Sequence, residues 1–151
     1  MPQLKSDAII LDMKAATKDG ALRELAGLAA TQCGRFTEEV LYKILLEREA
    51  VGSTGVGNGV AIPHGKIEGL DEILLCFGRS KGGIDFNAID KREVYLFILM
   101  ISPAGKGGEY LQTLARVSRV LKQSCNRQLL FDYTTRDEIV ALFATDPGAI
   151  E

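Results

Sequence analysis

The chain contains a single histidine, no tryptophan and only three cysteines in 151 residues. Cys33, Cys76 and Cys125 are odd in number, far apart and in no Cys-x-x-Cys pair, which argues against a disulfide framework and a cysteine zinc site. Reduced thiols in a cytoplasmic protein fit this usage. Positive charge is not in excess either: 18 basic against 20 acidic side chains give a net charge of -2. Neither a nucleic-acid backbone nor an anionic membrane surface is an expected partner. No apolar run approaches the roughly 18 residues of a membrane span, and Met1 to Asp7 lack the charged and apolar regions of a signal peptide, so no membrane insertion is expected. There is no internal repeat, low-complexity tract or linker. Residues 1–151 are expected to form one domain, which at this length buries about two-thirds of the surface of its unfolded chain.

Apolar spacing predicts mixed strands and helices. Ala8 to Leu11 reads as a short strand. Leu22, Leu25, Ala26 and Ala29 recur at helical spacing from Asp19, with Gly34 as the left-handed cap. Thr37 caps a second helix whose buried stripe is Val40, Leu41, Ile44 and Leu45, running to about Ala50 with Arg48 in its last turn. Val60 to Ile62, Ile73 to Phe77 and Val94 to Ile101 read as strands, the last apolar enough to be covered on both faces. Gly78 to Asp90 contains Gly82-Gly83, Asn87 and two aspartates and is expected to be mainly connection. A long amphipathic helix runs through Leu111, Leu114 and Leu121, two shorter helices span Asn126 to Phe131 and Thr135 to Phe143, and Pro147-Gly148 ends the structure. The architecture is α/β, one sheet between helical layers.

The lone histidine, His64, closes the run Gly52-Ser53-Thr54-Gly55-Val56-Gly57-Asn58-Gly59-Val60-Ala61-Ile62-Pro63-His64-Gly65. Proline restrains its own backbone and the preceding residue, so Ile62-Pro63 is expected to end the strand and present His64 at its edge. An imidazole there can be acid, base, metal ligand or phosphoryl acceptor. The metal role lacks further ligands, and none is expected; no GxSxG elbow surrounds a serine for a hydrolase. The glycines fit neither GxGxxG nor the P-loop, because position 60 is Val and no Gly-Lys-Ser/Thr follows. Glycines 52, 55, 57 and 59 do permit a tight loop whose amides converge on an anion. Arg48 can grip phosphate oxygens, and Ser53 and Thr54 add hydroxyls. Taken singly, Arg48 is more often a solvated helix residue and Thr54 a turn residue; the joint pattern reverses this and points to phosphoryl chemistry at His64 without a cofactor.

These residues carry a family resemblance. Leu46-Glu47-Arg48-Glu49, the glycine run through His64-Gly65-Lys66, and Ile84-Asp85-Phe86-Asn87-Ala88-Ile89-Asp90 before the apolar strand resemble the mannitol/fructose class of enzyme IIA domains of the bacterial phosphoenolpyruvate-dependent phosphotransferase system, especially its nitrogen-related branch. The resemblance, weaker elsewhere, extends over nearly the whole chain. It implies a mixed sheet of about five strands flanked by helices. It implies a phosphocarrier in which a histidine phosphocarrier protein donates to His64 and Arg48 lies at the active site. In sugar-specific relatives the phosphoryl group passes to a cysteine of an enzyme IIB domain, whereas nitrogen-branch members regulate downstream targets through phosphorylation-dependent binding. Many members carry a second histidine where Tyr110 stands here. A tyrosine can hydrogen-bond across the site but cannot offer an imidazolium's charge. The resemblance thus leaves three readings: a phosphorylation-switched regulator, a sugar-uptake component, and a docking module with impaired transfer.

Overall fold

The computed structural model describes residues 2–145; the expected stop at Pro147-Gly148 lies outside them. A 3-10 turn at Ser6–Ala8 leads into β1 (Ile9–Ile10), followed by α1 (Lys18–Cys33) and α2 (Glu38–Glu49). Both helices start where a threonine supplies the missing acceptor. Thr17 takes the amide of Gly20 and Thr37 that of Val40, while Gly34, at φ 66°, closes α1 with its N–H on the Ala30 carbonyl. The stripe of α2 is Leu41, Tyr42 and Leu45; Val40 is 42% exposed. Tyr42 takes the inward place because its hydroxyl reaches the Asp19 carboxylate on α1, giving a large ring a polar anchor.

Three short strands follow: β2 (Gly55–Gly57), β3 (Val60–Ala61) and β4 (His64–Ile67). Two long ones, β5 (Leu74–Ile84) and β6 (Val94–Pro103), form the centre, and α3 (Gly107–Lys122), α4 (Ser124–Asp132) and α5 (Arg136–Ala144) complete the chain. The sheet is mixed and six-stranded. Its main path is β1-β5-β6-β3-β2, with β4 also on β6. β5 and β6 are antiparallel, whereas β1 runs parallel to β5, and β3 and β4 parallel to β6. β6 is buried at every position except Tyr95, as its continuous apolar run predicts. Phe77, Phe97, Leu99 and Met100 fill the core with Leu22 and Leu25 of α1 and Leu41 and Leu45 of α2.

Two expectations about the chain path are corrected. Of the stretch expected as connection only Asp85 to Asp90 is: β5 continues to Ile84, paired Gly78 with Phe97 and Arg79 with Leu96, before an irregularity that lets Ile84 meet Val94. Gly83, at φ 80°, lies within that irregularity, so a glycine pair read as a break instead bends a strand. Nor does Pro63 throw His64 off the sheet. β3 pairs Val60 with Leu96 and β4 pairs His64 with Met100, the same register on either side of Ile62-Pro63. Proline has no N–H to give, but its carbonyl accepts the Met100 amide at 2.9 Å, so the ladder is carried through the interruption.

Candidate functional site

His64 is the first residue of β4 and partly exposed. Its Nδ1 lies 2.7 Å from the Ile62 carbonyl oxygen. A carbonyl can only accept, so Nδ1 carries the proton and Nε2 keeps its lone pair. Consistently, Arg48 donates its Nε–H to Nε2 at 3.1 Å. Burial pulls the imidazole pKa below its usual value; the Ile62 carbonyl opposes this, the Arg48 guanidinium reinforces it and Glu49 opposes it. The ring is a neutral imidazole whose unprotonated nitrogen faces a guanidinium.

Helix α2 delivers Arg48 to that position. A second donor, Nη1, bonds the Gly52 carbonyl at 2.9 Å just beyond the helix end. Gly65 allows the helix to approach: a Cβ there would run into Cγ2 of Ile44 on α2. Tyr110, in the first turns of α3, brings its ring centroid to 6.0 Å from that of His64, and burial raises its hydroxyl pKa against a lowering by Arg48. The phenol is therefore neutral. Lys66, two residues beyond His64, sets its Nζ 4.8 Å from the centre of the Tyr110 ring.

Ser53, Thr54 and the glycines have other tasks. The Thr54 amide donates to Glu49 at 3.0 Å and its hydroxyl also bonds that carboxylate. The Gly55 amide donates to Ser53 Oγ at 3.0 Å and the Asn58 amide to Asp90 at 3.0 Å. These three amides are taken within the loop and its neighbours and are not free for an anion. A Cβ at Gly57 would meet the Asp90 carboxylate at 3.3 Å, and one at Gly59 the Tyr95 ring at 3.3 Å. β2 and β3 form a hairpin turning at Asn58-Gly59, both with positive φ, and the Asn-Gly pair was the signal for it. Gly55 is needed for close approach, since a Cβ would come within 2.9 Å of the Ala88 backbone.

Glu49 belongs to the motif but gained no role from the sequence. Its side chain is 4% exposed and pairs with Lys18 Nζ at 2.9 Å while holding Thr54. A carboxylate directly after Arg48, at a helix end, gave no pattern distinguishing it from a solvated charge. Among the described residues no group of three or more histidine, cysteine, aspartate or glutamate side chains gathers to hold a metal. A cavity of about 620 Å³, lined among others by Lys5, Arg35, Asp71 and Glu109, includes neither His64 nor Arg48. That cavity is therefore distinct from the partly exposed imidazole.

Residues 2–145 match the model of the phosphoenolpyruvate-dependent sugar phosphotransferase system EIIA 2 family. The chain belongs to that family. Members are phosphotransferase components. It is 42% identical over 116 residues to a nitrogen regulatory protein of Bradyrhizobium diazoefficiens, covering 77% of this chain and 75% of the relative. It is 34% identical over 139 residues to a fructose-specific EIIA component of Haloferax volcanii, covering 91% and 90%. The crystal structure of nitrogen regulatory protein IIA-Ntr from Neisseria meningitidis superposes with a TM-score of 0.89 at 29% identity, covering 93% of this chain and 95% of that one. IIA mannitol of Escherichia coli gives 0.77 at 25% identity, covering 95% and 100%. The mixed sheet flanked by five helices is the EIIA fold. No helix among the described residues is long and apolar enough to cross a membrane.

Proposed function

We propose that this EIIA-family protein is a cytoplasmic phosphocarrier and regulator that accepts a phosphoryl group on Nε2 of His64 from a histidine phosphocarrier protein, and signals through phosphorylation-dependent partner binding. The observation that carries the reading is the pair of hydrogen bonds on the imidazole: Nδ1–H on the Ile62 carbonyl, and Nε2 accepting from Arg48. Nε2 attacks phosphorus; the donor's N–P bond breaks and its electron pair returns to the donor imidazole. The proton stays on Nδ1, hydrogen-bonded to the Ile62 carbonyl, so acceptance needs no proton transfer within this site. Arg48 turns its Nε–H from the lone pair to the arriving phosphoryl oxygens while Nη1 remains anchored on Gly52. Exposed apolar side chains near the site suit a protein donor: Val51, three residues after Arg48, is 82% exposed, and Leu111, beside Tyr110, 63%.

The test is incubation with phosphoenolpyruvate, enzyme I and a histidine phosphocarrier, following acid-labile label. Wild type should be labelled and His64→Gln not; equal labelling of both rejects the site. A phosphate beside apolar side chains should change partner affinity without refolding, so calorimetric titration of the downstream target should give different affinities for the two forms. Equal affinities would remove the switch. A second reading, sugar uptake with transfer to an enzyme IIB cysteine, is favoured by the 34% identity to a fructose-specific EIIA component. Rapid loss of label to an added IIB protein would select it.

A further inference from the structure

A phosphoryl group on His64 brings about two negative charges, and Arg48 supplies one positive charge. Lys18, which reaches the loop through Glu49, is committed to that carboxylate. Tyr110, where many relatives have a histidine, has no charge to give. Lys66 does. It shares a face of β4 with His64, because residues two apart in a strand point the same way. Its ammonium rests on the Tyr110 ring at 4.8 Å from the centroid, and that ring lies 6.0 Å from the imidazole. Among the described residues Lys66 has no carboxylate partner.

Resting on the phosphocarrier reading, we infer that Tyr110 is a positioning residue: its ring parks the Lys66 ammonium beside His64, where it serves as the second cation for the phosphoryl group. An imidazolium carries its charge on the helix; here the helix supplies an aromatic surface and the neighbouring strand supplies the charge. The ring attracts the ammonium through its π face and needs no hydroxyl to do so. Lys66 then swings from the ring to a phosphoryl oxygen as the N–P bond forms, and returns when the group leaves. No proton or electron is exchanged by either side chain.

The experiment measures the rate of His64 labelling by phosphorylated histidine phosphocarrier protein in single and double variants. Lys66→Met should slow labelling by about 10-fold, the scale of one charge-assisted hydrogen bond. Tyr110→Leu should slow it by about 3-fold, the scale of a surface cation–π contact, and Tyr110→Phe should recover most of the rate. The double variant Lys66→Met/Tyr110→Leu should be no slower than Lys66→Met, since Tyr110 acts through Lys66. In the unphosphorylated protein, the Lys66 side-chain NMR signals should show a ring-current shift that persists in Tyr110→Phe and vanishes in Tyr110→Leu. Multiplying single effects in the double variant, or an unshifted Lys66 in wild type, would overturn the positioning role while leaving the phosphocarrier intact. Unlabelled wild type would overturn both.

Discussion

At the scale of single residues, the state of one imidazole decides what the site can do. Burial lowers the His64 pKa, so at neutral pH the ring is uncharged and Nε2 is available. An NMR titration should therefore place its midpoint below the ordinary value of about 6.5, with the proton of the neutral ring on Nδ1. A midpoint above that value would contradict the desolvated setting. The same shift links to stability. Between the unfolded value and the lower folded one the unfolded chain binds more protons, so stability falls as pH drops through that window and is unaffected above it. His64→Gln should flatten that part of the stability profile in denaturant titrations at stepped pH.

At the scale of elements, the site depends on how closely α2 lies over β4. Gly65→Ala should push Cβ into Ile44, lift α2, and cost about 1–3 kcal/mol as an overpacked contact. The added Ile44→Ala change should restore labelling more than stability, because it clears the collision but leaves apolar area unfilled; if it restores neither, helix approach is not what Gly65 secures. Much at this scale was legible in the sequence. Thr37, Gly34 and the continuous apolar run of β6 carry local signals that tertiary structure did not override. The turn at Asn58-Gly59 is equally legible as an Asn-Gly hairpin signal. Gly82-Gly83 is not, because a glycine pair marks a connection as readily as the bent strand it serves here. Joining Arg48 to His64 was legible only through the whole motif. Glu49 and Lys66 were not, because their significance lies in partners distant in sequence, Lys18 and Tyr110.

At the scale of the whole molecule, a buried arginine ties the sheet to the carboxyl-terminal helices. Arg79 on β5 is 4% exposed and donates to the carbonyls of Leu11 at 3.0 Å and Leu130 at 3.1 Å, and to that of Tyr133. The last two belong to the end of α4, where carbonyls without helical partners favour a cation. Arg79→Met should cost about 3 kcal/mol, since it strands several buried acceptors at once. Urea unfolding would measure this, and a loss under about 0.5 kcal/mol, the range of an ordinary surface change, would reject the role. His64 labelling should survive, because Arg79 touches none of the site residues. The same reliance on main-chain oxygen recurs at the candidate site: Ile62 orients the imidazole and Gly52 anchors the guanidinium, both through carbonyls. Every amino acid carries that oxygen, so no single substitution at position 62 or 52 deletes it. The two groups that orient His64 and Arg48 are therefore atoms that no side-chain substitution removes, and what side chains control is only how closely α2 lies over β4.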